Sequence, residues 1–304
     1  MSAARDPRST SLARSPGRAS GAPGPRAGLG AVADDASWDF RQPSSKVRIL
    51  AALRRELDAF TATVGVPEAW RAPTACAGWE VRDMVGHLVD ATDSYLDGFD
   101  AARHGRAVPS AGFADMAAAT DAAARAHRDD DRDELLAQLT AQSERLFIEV
   151  ESLSAEQWTN LVVTDRYAGP LPALAIATGL LGGFAVHHWD VCEGIGRSHC
   201  IAADTADLLV PFVFALWGAT VDGGRVDEPF AIGIRTSGRN GGDTRVDVDG
   251  HGVRFERTTL DDDVTVIELD AATFVLWGYG RVNAGTVHGD GALVPRFRAV
   301  FRAI

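Results

Sequence analysis

Lysine is nearly absent from this 304-residue chain: Lys46 is the only one, and the other 29 of its 30 basic residues are arginines. Arginine codons are GC-rich, so the bias points to a GC-rich genome more than to a function. Cysteine is scarce as well. Cys76, Cys192 and Cys200 are odd in number and lack the spacing of a disulfide framework, which favours a reducing, cytoplasmic setting. The longest apolar run, Leu171 to Val186, is broken by glycines and too short to span a bilayer. No apolar stretch follows the N-terminal arginines, so a secretory signal is not expected. Positive charge is in deficit, with a formal net charge of −12, and this argues against a general nucleic-acid binder. What is present is ordinary for a globular protein: 46% apolar and 24% charged residues.

Charge is not evenly spread. Up to residue 30, Arg5, Arg8, Arg14, Arg18 and Arg26 face one acid, Asp6, a balance of +4 that leaves −16 on residues 31–304. Residues 1–44 are rich in Ala, Arg, Ser, Pro and Gly and show no apolar periodicity. They read as a disordered leader, because they bury too little surface to offset ordering entropy.

From 45 to 220 the apolar period is helical. Ser44 and Ser45 precede a helix from Lys46 with Leu50, Leu53, Leu57, Phe60 and Val64 on its stripe, ended by Gly65 and Pro67. Gly78 breaks the chain before a helix whose inward face carries Met84, His87, Ala91 and Tyr95. A third, weakly amphipathic helix is expected over 113–127 and a fourth from Arg132. Ser154 and Gln157 form a capping box. Residues 171–193 read as a buried helix with Phe184, His187 and Val191 on one face. A further helix, 205–217, contains Pro211. Polar connections between such helices predict an antiparallel bundle. From 228 to 304 the period shortens to strands near 230–235, 244–248, 253–257 and 264–268, separated by turn residues. A short helix from Ala271, an extended piece at 286–288 and a last helix over 292–301 complete a small α+β domain.

The residues that carry chemistry are few. His87 and His187 sit inward on different bundle helices, where metal sites are often built. A catalytic zinc wants three protein ligands and an open position. Around His187 the nearest capable group is Asp190; Gly183, one turn earlier, has no side chain to offer. Around His87 the acids Asp83 and Asp90 read as solvated surface charge. His188 and Cys192 are also four apart, but His188 points about 100° away from His187. Cys76 reads as a packing residue, and neither Cys192 nor Cys200 has an activating partner in sequence. Arg281, after the Trp277–Gly280 turn, suits a carboxylate through bidentate bonds, or equally a surface salt bridge.

Two segments resemble a known family. Thr74-x-Cys76-x-Gly78-Trp79-Glu80-Val81-Arg82-Asp83-Met84-Val85-Gly86-His87-Leu88 is similar to the start of the maleylpyruvate isomerase family of mycothiol-dependent enzymes. Val186-His187-His188-Trp189-Asp190-Val191, followed by Gly194 and Gly196, is similar to its second signature, about a hundred residues on. The resemblance implies a DinB-like four-helix metal-binding domain followed by a small sterol-carrier-like α+β domain. It implies a cytosolic actinobacterial enzyme with a divalent metal, typically zinc, and mycothiol as thiol cofactor. That enzyme would be an isomerase or S-transferase acting on a small electrophilic or unsaturated acid, with a small-molecule substrate and a low-molecular-weight thiol as partners. His87 and His187 match its histidine ligands, with Asp190 as a candidate third and Arg281 as a candidate catalytic residue. The family's acidic ligand falls where this chain has Gly183. That departure leaves open a substituted ligand, a weakly held metal, or a metal-free binding protein or repurposed enzyme.

Overall fold

The first described residues already pack. The computed structural model describes residues 35–302, so most of the expected leader lies outside the described residues. Its last ten residues do not behave as a leader. Two 3-10 turns, Ala36–Trp38 and Pro43–Ser45, bring Phe40 into the core, edge-on to Phe212 at 5.5 Å. Trp38 and Phe40 supply apolar surface that a compositional reading of residues 1–44 averages away.

The helical region then follows the predicted period. α1 spans Lys46–Val64, α2 Val81–Arg103, α3 Met116–Ala126, α4 Arg132–Ser152 and α5 Ala155–Asn160. α1 buries Leu53, Leu57, Phe60 and Val64 of the stripe read from its sequence, with Ile49 fully buried and Leu50 only half-buried. The Ser154–Gln157 capping box forms as expected, with both reciprocal hydrogen bonds made. An antiparallel hairpin, β1 Val162–Asp165 and β2 Gly169–Pro172, was not anticipated; its prolines and glycine disguise a strand pattern. Its return strand delivers the chain into α6, Ala173–Gly194, which is buried along most of its length. α6 packs on α1, and α2 packs on α3 and α4.

α7, Ala203–Thr220, joins this bundle to the sheet. It runs through Pro211, which has no N–H to offer the carbonyl four residues earlier. That carbonyl, on Asp207, accepts instead from Asn240 Nδ2 at 2.7 Å. The Asp207 carboxylate accepts from the Arg239 N–H at 2.8 Å. Gly238, at φ +113°, allows this approach, since a Cβ there would stand 2.4 Å from Asp207 Oδ1. A helix-breaking proline thus becomes the docking point for a turn of the sheet.

The sheet is built from β3 Phe230–Thr236, β4 Gly242–Asp249, β5 Gly252–Arg257, β6 Val266–Leu269 and β7 Thr286–His288. Their order is β5-β4-β3-β6-β7, with β3 and β6 parallel and the other pairs antiparallel. α8, Ala271–Gly278, connects β6 to β7, and α9, Leu293–Ala299, closes the fold. The joint is aromatic: Trp217 of α7 lies 5.2–5.4 Å from Phe274, Trp277, Phe297 and Phe301. Such pairs add about 0.5–1.5 kcal/mol each beyond burial. The architecture is a helical bundle with a C-terminal α+β region, as the residue pattern predicts. Among the described residues no helix is long and apolar enough to cross a membrane.

Candidate active site

α2 and α6 bring their inward histidines together. The His87 and His187 ring centroids are 5.0 Å apart, with the rings nearly perpendicular at 88°. Trp79 flanks His87 at 5.3 Å, and its indole N–H donates to Asp121 at 2.8 Å. The turn that carries Trp79 is fixed by Gly78 at φ +79° and by a capping box between Glu80 and Asp83. Asp83 is a correction to the sequence reading. It is fully buried, not a solvated charge, and accepts from Arg128 Nε and Nη2 at 2.6 and 2.7 Å. Asp90 is half-buried and paired with Arg166.

Asp190 is the hub of the site. It is fully buried. Its Oδ2 accepts from His187 Nδ1 at 3.0 Å. Arg281 Nε donates to both carboxylate oxygens, at 3.0 and 3.2 Å, and Nη2 to Oδ2 at 3.1 Å. Arg281 reaches it from the turn after α8, where Gly280 takes φ +73° and the Arg281 N–H donates to Leu276 O. The structure therefore gathers His87, His187, Asp190 and Arg281, although they are spread over almost two hundred residues of sequence. It adds one residue assigned only to packing. Cys76 Sγ lies 3.3 Å from Asp190 Oδ2 and 3.5 Å from Arg281 Nη2. Its loop is tied to α6 by the Ala75 N–H, which donates to the Asp190 carbonyl at 2.9 Å. No motif pairs Cys76 with Asp190; the nearness of Cys76 to Gly78 and Trp79 was the only available signal.

The electrostatics follow from burial and from this one carboxylate. Burial pushes the His87 imidazole down to about 3, with the neighbouring His187 and Arg281 adding to the effect. His87 is thus neutral at physiological pH. Burial would raise the Asp190 carboxyl, but the hydrogen bond and charge of His187, and then Arg281, outweigh it and bring it to about 2. Burial pushes the Cys76 thiol up to about 12, against the pull of Arg281 and with Asp190 reinforcing the rise. Cys76 is accordingly a thiol and not a thiolate, and it donates to Asp190.

Asp190 also sets the tautomer of His187. A carboxylate accepts only, so Nδ1 carries the proton and Nε2 presents a lone pair. One turn earlier on the same helix, nothing stands within 4 Å of where a Cβ on Gly183 would be. At Gly182 the contrary holds: a Cβ would meet the Tyr279 hydroxyl at 2.6 Å, so the missing side chain lets Tyr279 lie against α6. Arg281 also lines a cavity of about 310 Å³, together with Trp217, Trp277, Tyr279, Phe297 and Arg298 among others. That is large enough for a small organic acid.

A divalent metal at His87 and His187 does not fit the residues present. Among the described residues, neither cluster of three metal-capable side chains includes His87. One of them, Cys76, His187 and Asp190, already holds the Arg281 guanidinium against its carboxylate and thiol. A second cation there would meet a buried positive charge.

Known proteins bear on this geometry. Residues 50–192 match the profile of the mycothiol maleylpyruvate isomerase N-terminal domain. A crystal structure of the mycothiol-dependent maleylpyruvate isomerase superposes with a TM-score of 0.57 at 13% identity, covering 80% of this chain and 92% of that one. A histidine-to-alanine mutant of that isomerase gives 0.56 at 13% identity with the same coverage. At such identity these two structures speak for the fold. No curated protein matches. The matched segment, residues 50–192, runs from α1 to the last turn of α6 and so contains both inward histidines.

Proposed function

We propose that the protein is a thiol-dependent isomerase that uses mycothiol to convert a small unsaturated acid between its cis and trans forms. The observation that carries this reading is the His187 Nδ1–Asp190 Oδ2 hydrogen bond, which leaves His187 Nε2 as a base beside neutral His87. In this reading His187 accepts the proton of the incoming thiol. The sulfur adds to the conjugated double bond, and the electron pair of that bond moves onto the acid's carbonyl oxygen. Rotation about the resulting single bond follows. The pair then returns, the carbon–sulfur bond breaks, and the sulfur takes back its proton from His187.

Each protein group has a part in this account. Asp190 is a positioning residue that fixes the His187 tautomer, and not a metal ligand. Arg281 anchors Asp190 and brings positive charge to the place where the substrate's carboxylate would bind; the rest of the chain, at −16 beyond residue 30, offers no general positive field. Cys76 is held protonated, so the reacting thiol comes from outside the chain. No step needs a metal.

The test is turnover by the purified full chain, with mycothiol supplied and maleylpyruvate as the probe acid. The expected outcome is isomerisation that requires mycothiol and falls about 100- to 10,000-fold in His187→Ala. Undiminished turnover in that variant would overturn the reading. So would a wild-type chain that shows neither turnover nor thermal stabilisation by mycothiol. A second reading, favoured by the open space at Gly183, is a binding protein without chemistry; stabilisation by mycothiol without turnover selects it.

A further inference from the structure

The neighbouring histidine on α6 opens a different question. His188 points away from the site just described and is buried, 6% exposed. With Cys192, one turn on and 2% exposed, and His199, from the loop after α6, it forms a cluster whose ligand atoms all lie within 4.8 Å of one another. The His188 and His199 ring centroids are 4.1 Å apart. We propose that His188, Cys192 and His199 form a zinc site, separate from the His87–His187 pair and independent of the function proposed above.

Three observations carry it. The first is the tautomer of His188. Its Nε2 lies 2.9 Å from Thr63 Oγ1. That hydroxyl has one proton and donates it to the Ala59 carbonyl, also at 2.9 Å, as a helical threonine commonly does. His188 Nε2 is therefore the donor to Thr63, and Nδ1 carries the lone pair. The second is that this Nδ1 is fully shielded from solvent and has no hydrogen-bond partner. His199 Nε2 is in the same condition. Buried polar atoms are rarely left so, and two in one cluster call for a shared partner. The third is the donor set. Imidazole and thiolate are both zinc ligands, and three of them leave a fourth position to water or another donor.

The surroundings agree with a cation that brings its own thiolate. Zinc would displace the Cys192 proton to solvent, and the sulfur and two nitrogen lone pairs would form the bonds. Metal–ligand bonds of about 2.0–2.3 Å imply edges of roughly 3.3–3.8 Å, so each pair of ligand atoms needs to draw in by about 1.5 Å at most. The His199 loop, partly exposed, is the part that can move. Glu56, buried on α1, acts electrostatically on His199 and would offset the remaining charge. Bound zinc would pin the loop after α6 to α6 itself, whose hydroxyl neighbour Thr63 belongs to α1.

Zinc content by equilibrium dialysis and the spectrum of the cobalt(II)-substituted full chain test this. One zinc per chain is expected, together with a thiolate-to-cobalt charge-transfer band. Cys192→Ser should abolish the band and His199→Asn should weaken binding, while Cys76→Ser and His187→Ala should leave the band in place. Thr63→Val, which disturbs only the partner of His188, should lower zinc affinity about 10- to 100-fold. A wild-type chain that takes up no zinc overturns the proposal, as does a band that survives Cys192→Ser or disappears in Cys76→Ser. Circular dichroism of each variant separates a lost site from a lost fold.

Discussion

Two faces of α6, one residue apart, use the same side chain in opposite ways. His187 is surrounded by charge that is fully answered: Asp190 orients it, and Arg281 neutralises Asp190. His188 bonds to the neutral Thr63 hydroxyl and is left with an unanswered nitrogen. A saturated carboxylate makes a histidine a base with a defined tautomer. An unsaturated buried lone pair makes it a ligand in search of a cation. Adjacency in sequence says nothing about this difference, because 100° of helical rotation separates the two environments.

The largest effect expected from breaking this contrast is at Asp190. Asp190→Asn would leave Arg281 buried without its counter-charge, a loss of about 3–5 kcal/mol. Chemical denaturation should show it as a shifted midpoint with an unchanged slope. A midpoint within error of wild type would mean that Arg281 finds other partners, and that Asp190 is not the hub.

On the other face, Thr63→Val in the zinc-free chain removes the acceptor of the His188 Nε2–H. About 1–3 kcal/mol should be lost, the cost of one buried unpaired donor. If the variant is as stable as wild type, the His188 tautomer argued above is wrong.

The smallest of these effects is pH dependence from His87. Its folded value, about 3, lies below the ordinary 6.5 of an unfolded histidine. The unfolded chain therefore takes up a proton first, and stability is complete above 6.5 and falls as pH drops toward 3. Between pH 7.5 and 5.5 this costs roughly 1.4 kcal/mol. His87→Gln should flatten that part of the stability curve; a curve of the same slope would assign the acid sensitivity elsewhere.

Much of the fold was legible because burial imposes a period. The stripes of α1, α2, α4 and α6, the Ser154–Gln157 capping box and the alternation of β3 to β5 are local patterns with local causes. The hairpin before α6 was not legible, since Gly169 and Pro170 carry no strand pattern until paired with Thr164 and Asp165, and Leu171 and Pro172 read as part of the helix that follows. Phe40 was lost in a segment classed by composition. Of the candidate site, the two inward histidines and the departure at Gly183 were visible, and Asp190 and Arg281 were named without their mutual bond. Cys76 and Asp83 were misjudged for a common reason: each depends on a partner 45 or more residues away.

The amino-acid sequence by itself determined most of the elements, the order of the bundle and the α+β region, and which way His87 and His187 point. These follow from periodicity, and periodicity is a property of neighbours along the chain. Only the tertiary structure decided what each polar group meets. It placed Arg281 on Asp190, bonded His187 Nδ1 to Asp190, and set His188, Cys192 and His199 around a common point. The pairing of charges and lone pairs is fixed by distance in space, and in a low-dielectric interior a contact of three ångströms outweighs any pattern in the chain.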